Sequence, residues 1–124
     1  MSAATLVQID RIYAGIPPVA CKPDCGDCCG PISMTRAEYE RIVERLGHTP
    51  AGRPDLRLAV NVTTGRCSLL VDNKCSVYDI RPLVCRLYAT GPTGLQCPHG
   101  CKSERRVSEA EAEMKMKAVF RVGK

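Results

Sequence analysis

Apolar residues at Leu6, Ile9, Ile12, Tyr13 and Ile16 recur at helical intervals, which predicts a short helix over 4–14. Pro17-Pro18 ends it, because proline lacks the amide a helix needs and pushes its predecessor toward extended dihedrals. A first strand is the competing reading of this stretch. Ile32-Ser33-Met34 reads as a buried extended step. Thr35-Arg36-Ala37-Glu38 then has the spacing of a capping box, in which a hydroxyl and a carboxylate satisfy the first free amides. The helix it opens runs to Leu46, with Tyr39, Ile42, Val43 and Leu46 on one face and Gly47 as its stop.

Residues 48–54 are linker by composition. Beyond them Leu56, Leu58, Val60 and Val62 alternate with Arg57, Ala59 and Asn61, the pattern of a strand exposed on one face. A turn at Thr64-Gly65 leads to a second strand over 66–71, and the two are expected to pair as a hairpin. Asp72-Asn73-Lys74 is a further turn. Ser76 to Asp79 has cap spacing, and Pro82 suits the first turn of a helix through Leu83, Val84, Leu87 and Tyr88. A loop at 91–94 delivers Cys97 and Cys101. Ser108 and Glu111 repeat the capping spacing before a last helix. There Ala110, Met114, Ala118 and Val122 form the predicted inward stripe, bordered by Val107 and Val119. Met114 and Met116 are expected in the core or against a partner.

Composition sharpens this picture. The 124 residues make one domain at most, with no Trp, one Phe and four Tyr, so large apolar side chains are scarce. Coordination bonds are expected to supply part of the folding free energy. The chain divides into an N-terminal segment at 1–20, a cysteine-cluster domain at 21–101 and a C-terminal helix at 102–124. Nine cysteines are an odd number, so they cannot all pair internally as disulfides. The polar N-terminus is unlike a signal peptide, and nothing approaches membrane-spanning length. A reducing cytoplasm with metal-bound thiolates is the expectation, and a disulfide scaffold the alternative. The net charge of +5 offsets the negative charge of such a centre and does not by itself imply nucleic acid.

Four of the nine cysteines, Cys21, Cys25, Cys28 and Cys29, fall in one loop with gaps of three, two and zero residues. Pro23 stiffens that loop, Gly26 and Gly30 let it fold back, and Asp24 and Asp27 are read as turn formers. Several thiolates presented from one tight loop suit a thiophilic metal or an iron–sulfur centre. Cys67, Cys75, Cys85, Cys97 and Cys101 follow at gaps of seven, nine, eleven and three, so they must converge by folding. Three thiols of the first loop can wrap three corners of a four-iron cluster, with Cys29 or a distant cysteine closing it. Zinc is the alternative, since eight cysteines make two tetrahedral sites and Cys25-Gly26-Asp27-Cys28 is knuckle-like. A 4Fe–4S cluster is favoured. Cys85 lies one turn into its helix, where the helix N-terminus is expected to lower its pKa. Arg81 is read either as a surface arginine or as a partner of Asp79 or a cluster sulfur. His99 is read as a solvent-facing loop residue rather than a ligand.

The chain resembles the YkgJ-type cysteine-cluster family, described as zinc- or iron-chelating domains. The resemblance is carried by Cys21-Lys-Pro-Asp-Cys25-Gly-Asp-Cys28-Cys29, by Cys67-Ser-Leu-Leu, and above all by Cys75-Ser-Val-Tyr-Asp-Ile-Arg-Pro82-Leu-Val-Cys85-Arg-Leu-Tyr88. It implies that Cys21, Cys25, Cys28, Cys29, Cys67, Cys75 and Cys85 are ligand candidates, with Cys97 or Cys101 as a later one. The fold expected is small α+β: mostly short helices, a hairpin and irregular cysteine loops, organised around a metal or iron–sulfur centre.

Three functional classes compete. The first is a small cytoplasmic iron–sulfur or zinc protein with a structural, redox or regulatory role toward a protein partner. The second is an enzyme or accessory subunit whose cluster binds substrate; it needs groups that move protons, and the chain has only His48 and His99 as histidines. The third is a nucleic-acid module, which needs a basic stripe interleaved with aromatics; Lys102 to Arg106 lacks the aromatics. The first is preferred, with no nucleic acid and no membrane among the partners.

Overall fold

The computed structural model describes residues 3–19, 30–72, 74–97 and 100–124. The predicted first helix is present as α1, Ala3–Ala14, and buries Ile9 and Tyr13. Ile32–Ser33 forms the short strand β1, and α2 follows at Arg36–Leu46. Both halves of the capping box are made: the Thr35 hydroxyl accepts from the Glu38 amide, and the Glu38 carboxylate accepts from the Thr35 amide. Gly47 closes α2 in the left-handed region, at φ 77°.

The stretch expected as one long strand over 56–62 is broken up. Gly52–Arg53 is β2, Pro54–Leu56 is a single 3₁₀ turn, and only Leu58–Ala59 is extended, as β3. The reason is local. Pro54 starts the turn, Arg57 closes it with φ 51°, and the Asn61 side chain accepts from the Thr63 and Thr64 amides, curling the chain away. Val62 is left 86% exposed on that curl. Consequently β3 does not pair with 66–71. It lies between β1 and β2, antiparallel to both, with Ala59 opposite Ile32 and Gly52. At Gly52, with φ 139°, a side chain would run into the Leu58 carbonyl, so this close pairing requires glycine.

The second sheet is the hairpin of β4, Leu70–Val71, and β5, Lys74–Cys75, with Leu70 opposite Cys75. The turn expected at 72–74 includes Asn73, which lies outside the described residues. Tyr78–Ile80 is a second 3₁₀ turn, and α3 is only Leu83–Leu87, with Pro82 as its N-cap and Tyr88 at its end. The final helix α4 spans Glu109–Val122, and the Ser108 hydroxyl accepts from the Glu111 amide. Its inward face differs from the predicted stripe. Ala112 and Val119 are buried, while Met114 is 64% exposed. The Ser108 cap starts the helix as expected, and Val119 and Val122 of the expected face do pack inward, but the cluster takes Ala112 and Met116 in place of Ala110, Met114 and Ala118.

Two apolar clusters result. One is made by Ile9 and Tyr13 from α1, Ala37, Leu83 and Leu87 from α3, Val107, and Ala112 and Val119 from α4. The other joins Ile32, Met34, Ile42, Ala59, Leu69, Val77 and Ile80 with Cys67, and packs Cys75 and Cys85 against them. The α2 helix stands between them, contributing Ala37 to the first and Ile42 to the second. No helix among the described residues is long and apolar enough to cross a membrane.

Candidate metal centre

Three of the cysteines come together from three separate pieces of chain. Cys67 precedes the β4–β5 hairpin, Cys75 ends it, and Cys85 is the third residue of α3. All three belong to, or pack against, the second apolar cluster. Each is a free thiol. They are close enough to act on one another: a charge on Cys75 raises the Cys67 thiol, and charges on Cys67 and Cys75 both raise Cys85.

The local sequence explains how two of them are held. Cys67-Ser68-Leu69 and Cys75-Ser76-Val77 are the same tripeptide turn with one apolar change. In each, the amide two residues on donates toward the cysteine sulfur: Leu69 N–H to Cys67 and Val77 N–H to Cys75. The two turns are tied together by the Ser76 amide and hydroxyl, which both donate to the Leu69 carbonyl, at 3.0 Å and 2.6 Å. Peptide N–H groups aimed at sulfur favour a charged thiolate, and are the kind of donor that sits behind a metal-bound cysteine.

Burial works the other way. Desolvation pushes up the Cys67 and Cys75 thiols, and it pushes Cys85 up to about 12. The expectation that a helix N-terminus would lower Cys85 is thus overturned. A five-residue helix has too few aligned peptides to outweigh removal of the thiolate from water. The cation nearest these thiols in effect is Arg81, which lowers both Cys75 and Cys85 and opposes their burial. Arg81 does not pair with Asp79. Its Nε donates to the Tyr78 carbonyl at 2.9 Å and its guanidinium lies 3.9 Å above the Tyr78 ring. Asp79 instead takes both terminal nitrogens of Arg45, at 2.9 Å each.

Cys97 and Cys101 lie on a different piece of chain. The Gly100 amide donates to the Cys97 carbonyl at 3.1 Å. Ser103 then forms an antiparallel bridge with Val19, which sets this arm beside the residue that leads into 20–29. Cys21, Cys25, Cys28 and Cys29, with Asp24, Asp27 and His99, lie outside the described residues. Among the described residues no three Cys, His, Asp or Glu side chains by themselves form a group that could hold a metal ion. His48 is exposed, with its Nδ1 3.1 Å from the Thr49 carbonyl.

The chemistry of the described donors suits a thiophilic ion, although these three thiols do not by themselves make a group that could hold one. Two of them accept peptide N–H bonds, and a guanidinium is near enough to offset negative charge. Cys67 is also reached from outside, through a depression of about 210 Å³ lined by Asn61, Thr64, Arg66, Cys67, Ser68 and Leu70.

One participant was not visible as such in the sequence. Glu38 reads as the last member of a capping box, yet it is 3% exposed and its carboxylate serves more than its own helix. Tyr13 donates to Glu38 Oε2, and so does the Leu83 amide at the start of α3, at 2.7 Å. Tyr13 is held protonated, its pKa far above the ordinary tyrosine value through burial and then the Glu38 charge. The guanidinium of Arg86 lies 4.1 Å over the Tyr13 ring. The available signal was the helical period that turned Tyr13 inward; what it would meet there depended on packing.

A family model covers residues 20–102 of this chain, and its description reads "CxxCxxCC: Putative zinc- or iron-chelating domain". No curated protein and no solved structure matches the chain.

Proposed function

The chain belongs to this zinc- or iron-chelating family, and from that premise we propose that it holds an iron–sulfur cluster, with 4Fe–4S favoured. The ligands in this reading are drawn from Cys21, Cys25, Cys28 and Cys29 in the first loop, from Cys67, Cys75 and Cys85, and from Cys97 or Cys101. The observation that carries it is the convergence of Cys67, Cys75 and Cys85 from three segments onto one apolar cluster. The short gaps of the first loop favour a cluster over a single ion. When bound, such a centre supplies electron transfer or a rigid structural node. The protein's residues supply sulfur, peptide N–H bonds and the Arg81 charge that offsets thiolate charge.

The protein acts in the cytoplasm, in a structural, redox or regulatory role toward a protein partner. Nucleic acid and membrane are not its partners in this reading. Zinc is the second reading, favoured by the paired Cys-Ser-Leu and Cys-Ser-Val turns, whose N–H···S bonds equally suit a tetrahedral site.

Anaerobic purification followed by iron, zinc and acid-labile sulfide analysis separates the two. Iron with matching sulfide and a broad visible absorption is the expected result. Colourless protein with stoichiometric zinc replaces the cluster with the second reading. Cys85→Ala should lower metal content in either case, and full retention by that variant would remove Cys85 from the ligand set.

A further inference from the structure

We propose that Glu38 is a positioning residue for the metal centre: its carboxylate caps α3 in place of the missing N-cap side chain and so fixes where Cys85 is presented. This rests on the reading of Cys85 as a ligand. Pro82 opens α3. Proline is the N-cap of α3 and offers no hydroxyl or carboxylate, so no side-chain hydrogen bond caps the helix from its own sequence. Glu38 Oε2, from α2, accepts the Leu83 amide at 2.7 Å. The cap is supplied across forty-five positions of sequence.

The same carboxylate is saturated with donors. Oε2 takes Tyr13 Oη from α1 and the Leu83 amide; Oε1 takes the Thr35 amide at 3.1 Å and the Thr35 hydroxyl at 2.9 Å. Three helices therefore share one buried acceptor. Cys85 is two residues beyond Leu83, on a helix of one and a half turns, so a shift of that first amide carries the sulfur with it. Glu38 is also near enough for its charge to act on the Cys85 thiol.

Glutamine is the incisive substitution. It keeps the shape, but its NH₂ cannot accept a peptide N–H: placed toward α3 it loses the Leu83 amide, and placed toward Thr35 it breaks the capping box that holds the carboxyl group in position, while the hydroxyls at either end can turn to accept from it. Metal affinity of Glu38→Gln, measured by chelator competition, should fall about ten- to hundredfold, the scale of lost supporting contacts around metal ligands. Tyr13→Phe leaves the Leu83 bond in place and should change affinity by less than about threefold. Val119→Ala, on α4 and outside the carboxylate's bonds, loosens packing in the same cluster as Leu83 and should leave affinity as in the unaltered protein. Equal affinity for Glu38→Gln and the unaltered protein overturns the proposal, as does an equal loss in Val119→Ala.

A second measurement needs no variant. Coupling is reciprocal, so removing the metal should loosen the clamp. Hydrogen exchange at the Leu83 amide should speed up at least tenfold on chelation, with the Val119 amide changing far less. Uniform change at both sites overturns the proposal. Absence of any metal in the unaltered protein fails the functional reading instead, and is recognised before any variant is compared.

Discussion

The two apolar clusters are held together by different means. The first is helix against helix: α1, α3 and α4 meet through Ile9, Leu87, Val107 and Val119, each at most 1% exposed. The second is built largely from two-residue strands and single turns beside α2, and it takes in three thiols where the first has none. Pairs of strands this short have little stability of their own. Burial alone can organise the helical half, whereas in the function proposed above the cysteine half depends on what its thiols bind.

Metal removal should break that symmetry most strongly. Anaerobic chelation should raise amide exchange at Leu69 and Val77 about a hundredfold while leaving some protection, because these amides back the Cys67 and Cys75 sulfurs. Helical circular dichroism from α1 and α4 should largely persist. Simultaneous collapse of both halves would show that the clusters are one cooperative unit.

Next in size are core deletions placed on each side. Ile9→Ala and Ile42→Ala both remove fully buried side chains and should each cost about 2–5 kcal/mol by denaturant unfolding. The Ile42 variant should also weaken metal retention, while the Ile9 variant should not. Equal metal loss in both would erase the distinction between the halves.

Alkaline pH sharpens the comparison in the metal-free protein. Cys67, Cys75 and Cys85 have folded pKa values raised above those of the unfolded chain, so the folded state binds their protons more tightly. The stability this gives is complete below the unfolded thiol pKa near about 8.5 and is lost as pH rises toward the folded value, about 12 for Cys85. Exchange protection should fall first in the cysteine half over that window. In the metal-loaded protein, whose ligands have already lost their protons, the same window should be nearly flat.

The smallest expected effects are at the helix caps. Thr35→Ala should cost about 1 kcal/mol or somewhat more, since the Thr35 hydroxyl also donates to Glu38, and Ser108→Ala about 1 kcal/mol or less at its exposed site. A Ser108 effect larger than that of Thr35 would contradict the ranking of the two ends by burial.

Helices with strong local signals were readable from the chain itself: the period that defines α1, the Thr35–Glu38 box and Gly47 of α2, and the Ser108 cap of α4. These depend on contacts within four residues, which spacing encodes directly. The strand over 56–62 was misread because alternation of side chains says nothing of a left-handed Arg57 or of Asn61 capturing two amides. Which face of α4 turns inward was likewise settled by α1 and α3, not by its own period. At the centre, the chain announced its cysteines and the need for distant ones to meet. Only the tertiary structure decided that Cys67, Cys75 and Cys85 share a cluster and that burial outweighs the helix end at Cys85, because desolvation is a property of surroundings. The trans cap from Glu38 to Leu83 belongs to the same class: a local motif supplies the carboxylate, and packing alone selects the amide it finds.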